Sequence, residues 1–240
     1  MSVHPRDISA AKLGVMLART PYPDELCLLV SRAREAIGFF ADHPPRALEY
    51  PWILANLPSD LHGLRLLDVG AGVNPLPFVL ADRGAQVVTL DNHRLVRAGS
   101  NRREWNEWGF LDYATLDARI ASLHCAYEQA EFDAPFDGLF SVSVIEHIHS
   151  GTRRAWIERF RRHIRSGGTL LLTVDLVPGT DALWNLSEGN VVEARGLHGS
   201  FATLLAELED TAFVVESAAI ERELPETCVD TGFVKAIRGR

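Results

Sequence analysis

Leu66-Leu67-Asp68-Val69-Gly70-Ala71-Gly72-Val73-Asn74-Pro75 is the stretch that decides the reading of this 240-residue chain. An apolar run, Leu64–Val69, meets two glycines at alternate positions, and Pro75 then suits the first turn of a helix. That pattern is a buried strand turning sharply into a helix. Glycine permits the unusual backbone angles of such a turn and lets a ligand approach bare backbone. Asp91 ends the next apolar run, Gln86–Leu90, and stands 21 residues after Gly70. At about that distance, nucleoside-binding α/β proteins place an acidic side chain on ribose hydroxyls.

Outward from this turn, short apolar runs alternate with helical spacing. The pattern predicts helices over 75–83, 93–107, 152–165 and 200–208. It predicts further strands over 122–126, 137–144, 169–175, 212–220 and 228–237. Continuous apolar strands separated by helices indicate a parallel sheet covered on both faces. Before residue 60 the chain reads as helical. Leu26, Leu29, Val30, Ala33, Ile37 and Phe40 recur at helical spacing behind Asp24 as N-cap, with Pro44 and Pro45 as the stop. Ala47–Leu57 reads as a short aromatic-bearing stretch. Val177–Gly199 has no clear element, and a loop of that length in a compact domain is usually functional. The expected division is a helical extension over 1–60, serving as a cap, and one α/β domain over 61–240.

Composition narrows the class. A 47% hydrophobic content suits a well-buried core. Cys27, Cys125 and Cys228 are an odd, scattered set without metal-ligand spacing, so neither a disulfide framework nor a metal is expected, and a cytoplasmic location is. Lys12 interrupts the apolar stretch Ile8–Leu17, so no export signal is expected, and no window approaches a membrane span. Net charge is −8 and the pI about 5.6, which argues against nucleic acid as partner. The arginines at 153, 154, 159, 161, 162 and 165 read as the solvated face of a helix whose buried face is Trp156, Ile157, Phe160 and Ile164. Oligomeric state is left open.

Pro75 stands where a dinucleotide-binding turn has its third glycine, which counts against a nicotinamide or flavin cofactor. The chain resembles the class I S-adenosylmethionine-dependent methyltransferases, and the match runs through four motifs in order. Asp68-Val69-Gly70-Ala71-Gly72 is similar to the family's first motif, and Val88-Thr89-Leu90-Asp91 to its second. Phe136–Ile148 is similar to the fourth-strand motif, and Arg165–Leu172 to the turn into strand five.

The resemblance implies a doubly wound, mostly parallel, seven-stranded Rossmann-like sheet and an S-adenosyl-L-methionine cofactor. It implies that Asp68, Gly70, Ala71, Gly72 and Asn74 form the cofactor turn, and that Asp91 and Asn92 lie at the ribose. Ser141 and Val142 would line the methionine side. Where the family often has an acidic residue after strand three, this chain has Ala126-Tyr127, leaving backbone groups or the Tyr127 ring to meet adenine.

Each candidate also has a plain structural reading. Asp68 can satisfy backbone donors in the turn, and Asp91 can cap the next helical turn. His147 and Asp175, just beyond the fourth and at the end of the fifth strand, are candidates for base or substrate contact; the alternatives are a locally bonded imidazole and a loop cap. His124 and His149 are weaker candidates. Tyr50, Trp52, Trp184 and Glu188 are candidate substrate contacts or simply packing residues. The reading is an enzyme that transfers a methyl group in line to a small-molecule acceptor. The alternatives are a non-catalytic methyltransferase-like binding module and a nucleotide-dependent oxidoreductase or epimerase.

Overall fold

The computed structural model describes residues 7–99, 105–187, 190–193, 195–222 and 229–239. Seven strands form one mostly parallel sheet: β1 (Arg65–Val69), β2 (Gln86–Asp91), β5 (Ile120–His124), β6 (Phe136–Val142), β7 (Ile164–Leu176), β10 (Phe213–Glu221) and β11 (Asp230–Arg238), in the order β10-β11-β7-β6-β1-β2-β5. By packing, the chain divides into two compact units, Met1–Ala130 and Glu131–Arg240.

In the first unit, β1 pairs with β2 and β2 with β5, all parallel. The buried interior of β1 and the wholly buried run Leu76–Ala81 explain why this region reads as nearly continuous apolar sequence. Three helices precede it: α1 (Ala10–Arg19), α2 (Pro23–Ala36) and α3 (Arg46–Ala55). The periodic set Leu26, Leu29, Val30 and Ala33 is buried as its spacing requires. Asp24 is not the cap. Tyr22 holds that position, Pro23 opens the helix, and Asp24 lies in the first turn, where a carboxylate suits the helix dipole. The helix also stops well before Pro44. Gly38, at φ +91°, sends its N–H back to the carbonyl of Ala33, so a left-handed glycine ends it. Ala47–Leu57 is mostly helical rather than irregular, and α3 carries Pro51 inside it.

The helix expected over 93–107 does not form among its described residues. Val96–Arg97 is instead a short strand, β3, paired with β4 (Phe110–Leu111). Gly99 and Gly109 both adopt positive φ, and Arg97 reaches the Trp108 carbonyl and the Asn106 side chain, which secures the non-helical path. Residues 100–104 lie outside the described set.

In the second unit, β6 and β7 are parallel, while β11 pairs antiparallel with both β7 and β10. Gly168 is needed in β7 because a Cβ there would stand 2.8 Å from the Asp137 carbonyl oxygen. The 177–199 segment is not structureless. It contains an antiparallel pair, β8 (Trp184–Ser187) with β9 (Asn190–Glu193), and the short helix α6 (Arg195–His198). Helix α5 (Ser150–His163) departs from the expected solvated arginine face at Arg153, which is fully buried. Its guanidinium bonds Glu207 of α7 (Phe201–Asp210) through Nε at 2.7 Å and Nη2 at 2.8 Å. It also donates to the carbonyls of His198 and Ile148. Among the described residues, no helix is long and apolar enough to cross a membrane.

Removing one partner of such a pair strands a buried charge. Arg153→Met should therefore destabilise the protein by about 3–5 kcal/mol, whereas Arg153→Met with Glu207→Leu should recover much of that loss. Chemical denaturation of the two variants measures it, and equal losses would show that the pair is not energetically coupled.

Candidate functional site

The polar centre of the first unit is the turn that leaves β1. Gly70 (φ +76°) and Gly72 (φ +54°) occupy the left-handed region, which is why glycines stand at both positions. The N–H groups of Gly70 and Ala71 donate to the Leu90 carbonyl at 2.8 and 3.1 Å, binding the turn to the end of β2. Asp91 completes the tie. Its Oδ2 accepts from Gly72 N at 2.9 Å, and its Oδ1 accepts from His93 N at 2.7 Å. A carboxylate offers about four acceptor positions, so this half-buried group retains capacity beyond the two bonds. A Cβ built on Gly72 would meet only the Gly109 carbonyl oxygen, at 3.7 Å. The added carbon would fit in ordinary contact, and Gly72 is only half-buried, so its Cα faces partly open space.

Asn74 organises the other half of the turn. Its Nδ2 donates to the Ala71 carbonyl at 2.5 Å and to Asp68 Oδ2 at 3.2 Å, while its Oδ1 accepts from Leu76 N at 2.8 Å. Asn74 thus supplies the N-terminal cap of α4 (Leu76–Asp82) from just outside it. Tyr113 was not legible as part of this site. It is fully buried, and its hydroxyl accepts from Asn74 N at 2.9 Å while facing the carbonyls of Gly72 and Ala71 at 3.2 and 3.4 Å. It lies 39 residues beyond Asn74, inside a region whose pattern suggested nothing about the turn.

Around this centre, Asn92 is exposed. Ala126 is half-buried and precedes a single 3-10 turn, Tyr127–Gln129. Tyr127 is buried as a whole, so of this pair only Ala126 is partly exposed. Tyr50 is buried in α3, edge-on to Phe40 and with the Arg46 guanidinium 5.9 Å from its ring centre. Arg46 pairs at 2.5 Å with Glu49, itself wholly buried. Trp52 is half-buried.

In the second unit, the residues just after β6 and those ending β7 converge. Ser141 is buried in β6 and Val142 half-buried beside it. Ser143 adopts φ +50°, a strained conformation for a non-glycine residue, and its hydroxyl lies 3.3 Å from Asp175 Oδ1. Glu146 is fully buried and accepts the backbone N–H of Asp175 at 3.1 Å. His147, exposed at the surface, lies 3.9 Å from Glu146 and packs edge-to-face on Trp184 with ring centres 5.2 Å apart. His147, Asp175 and Trp184 are thus brought into one network with Ser143 and Glu146. The strain at Ser143 has no signal in the sequence. Glu188 lies outside the described residues, and among those residues no group of three or more metal-ligating side chains is placed to hold a metal.

Fold and turn together define a mostly parallel α/β protein with a left-handed glycine turn at the end of its first strand. The family model described as "Methyltransferase domain" matches residues 40–203, more than half of the chain, and the chain belongs to that family. The expected class, an S-adenosylmethionine-dependent methyltransferase, is thereby supported. No curated protein matches the chain. Among solved structures, the chain is similar to 1,6-didemethyltoxoflavin-N1-methyltransferase of Burkholderia thailandensis, which was solved with 1,6-didemethyltoxoflavin and S-adenosylhomocysteine bound. That likeness has a TM-score of 0.59 and 15% identity, and covers 98% of this chain and 94% of the other. An S-adenosylmethionine-dependent methyltransferase of Mesorhizobium loti gives 0.56 at 18% identity, over 79% of this chain and 97% of its own. A protein of Listeria monocytogenes assigned to the same class gives 0.59 at 16%, over 80% and 98%.

Burial pushes the Asp68 carboxyl up from 3.8 to about 8, although the bond from Asn74 works in the opposite direction. Folding then takes up a proton between those two values. The favourable contribution is complete below about pH 4 and is lost as pH rises through 8. Wild-type stability, followed by urea denaturation, should decline between about pH 4 and 8 and level off above that. Asp68→Asn keeps an acceptor for Asn74 without the charge and should flatten that decline; an unchanged slope would assign it to another group.

Proposed function

We propose that this protein transfers a methyl group from S-adenosylmethionine to a small-molecule acceptor. The observation that carries the reading is the left-handed Gly70–Gly72 turn, facing partly open space and tied to the carboxylate of Asp91. Asp68, Gly70, Ala71, Gly72 and Asn74 build the cofactor turn. Asp91, with Asn92, would accept from ribose hydroxyls through the acceptor positions its two backbone bonds leave. Ala126 and Tyr127 are assigned to adenine, through backbone groups or the Tyr127 ring, and Ser141 and Val142 to the methionine side. When bound, the cofactor would supply a methyl group on a sulfonium, for transfer to the acceptor's nucleophilic atom with S-adenosylhomocysteine as the leaving group.

The chain's own task is to orient the acceptor, exclude water and manage a proton. A base is needed only if the acceptor carries its proton at working pH, as a hydroxyl does. Asp175 and His147 are assigned that role: Ser143 and Glu146 fix Asp175 at its side chain and backbone, and His147 offers an exposed imidazole. Trp184, with Tyr50, Trp52 and Glu188, is assigned to acceptor contact. The choice of a small molecule draws support from the Burkholderia enzyme, whose structure contains 1,6-didemethyltoxoflavin and matches this chain over nearly its full length. The 1–60 helices as a cap, and a cytoplasmic location, belong to the same proposal.

Calorimetric titration with S-adenosylmethionine and S-adenosylhomocysteine tests the central assignment. Asp91→Ala should weaken binding by about 1–3 kcal/mol, the range for a hydrogen bond to a charged group. Gly72→Val should abolish binding, because its side chain would enter the open space and its backbone would resist φ +54°. Protection by NAD instead would favour the oxidoreductase reading.

His147→Gln and Asp175→Asn should preserve S-adenosylhomocysteine affinity while lowering turnover roughly 100-fold for an acceptor that must lose a proton. A pool of metabolites with labelled cofactor supplies the assay. Cofactor binding without turnover on any acceptor would point to the non-catalytic module.

A further inference from the structure

We infer that Tyr113 is a positioning residue for the cofactor, its phenol holding the 71–74 turn in the conformation that presents bare backbone to the ligand. This rests on the reading of the glycine turn as the S-adenosylmethionine site. The phenol oxygen accepts from Asn74 N at 2.9 Å, and its O–H is shared between the carbonyls of Gly72 at 3.2 Å and Ala71 at 3.4 Å. One hydroxyl therefore binds three parts of the turn, using its donor and an acceptor position together. Leu111 N adds a fourth tie, to the Gly72 carbonyl at 2.9 Å.

The arrangement makes the turn's polar groups face inward. The Gly72 and Ala71 carbonyls point to Tyr113, the Asn74 N–H is taken by it, and the Gly72 N–H is taken by Asp91. What borders the open space is the Cα of Gly72. A glycine-bearing turn left to itself samples many conformations, and ordering it on binding would cost affinity. Tyr113 removes that cost in advance.

Packing alone does not explain the hydroxyl. The ring is wedged between Phe78 of α4, 5.3 Å away, and Phe110 of β4, 6.4 Å away. Phenylalanine would fill the same apolar space. Burial holds the phenol's pKa well above its ordinary value, so it stays protonated and donates across the working pH range.

The test compares Tyr113→Phe, which removes only the hydroxyl, with Phe78→Leu, which loosens the same packing and leaves the hydroxyl in place. Three quantities are read: melting temperature, exchange of the Asn74 amide by NMR without ligand, and Kd for S-adenosylhomocysteine by calorimetry. Tyr113→Phe should speed Asn74 exchange and weaken S-adenosylhomocysteine roughly ten-fold, the scale of one or two lost hydrogen bonds. Phe78→Leu should lower the melting temperature yet leave Kd within about two-fold, since it spares the hydrogen bonds. Unchanged Kd in Tyr113→Phe, with wild type binding, overturns the positioning role and leaves the proposed function standing. Equal weakening in both variants overturns it too, in favour of packing. Should wild type bind neither S-adenosylhomocysteine nor S-adenosylmethionine, the role falls together with the function it serves.

Discussion

Most of what distinguishes this protein depends on one constraint: a buried strand must become a buried helix across six residues without leaving polar backbone unsatisfied. Around Gly70–Pro75 every solution to that problem is visible. Left-handed glycines make the bend, the end of β2 takes the first amides, Asp91 takes the next, and Asn74 caps the helix beyond. Buried polar groups that go unpaired cost about 1–3 kcal/mol each. The turn is therefore held by accumulated necessity, and the same bonds that satisfy its backbone fix the Gly72 edge, which carries no side chain.

The second unit solves a different problem with the same means. Its loops after β6 and β7 carry the exposed His147 and the half-buried Trp184, and something must fix them. Glu146 binds the backbone of Asp175, Ser143 bonds its side chain, and Arg153 draws the carbonyls of Ile148 and His198 toward a bidentate pair with Glu207. Buried charge is destabilising on its own. Here it joins the end of one loop to the start of another and stiffens both.

How much of this was legible depends on what each feature rests on. Period and punctuation exposed β1, β2, β6, β7 and the helices α2, α4, α5 and α7, because burial forces apolar residues into fixed spacings. Asp91 was legible because its distance from Gly70 is set by one strand–helix–strand unit. The helix expected over 93–107 does not form, and its apolar residues share no buried face: Leu95 and Val96 are exposed while Trp105 is buried. Arg153 looked like one of a row of solvated arginines because its partner, Glu207, is 54 residues away. Tyr113 and the strained Ser143 were hidden for the same reason: their roles exist only in contacts that the order of residues does not encode.

The Gly70–Gly72 turn also bears on how such a protein can change over generations. Its contacts are made by amides, carbonyls and missing side chains, groups that nearly every residue carries or that only glycine can omit. A surface written in backbone asks its buried neighbours, such as Ala71 and Val73, for volume rather than chemistry, so they can drift among residues of similar size. The few that cannot drift are those whose side chains hold the backbone in place, Asp91, Asn74 and Tyr113. Descent in a lineage built this way would be recorded in curvature long after it had faded from the letters.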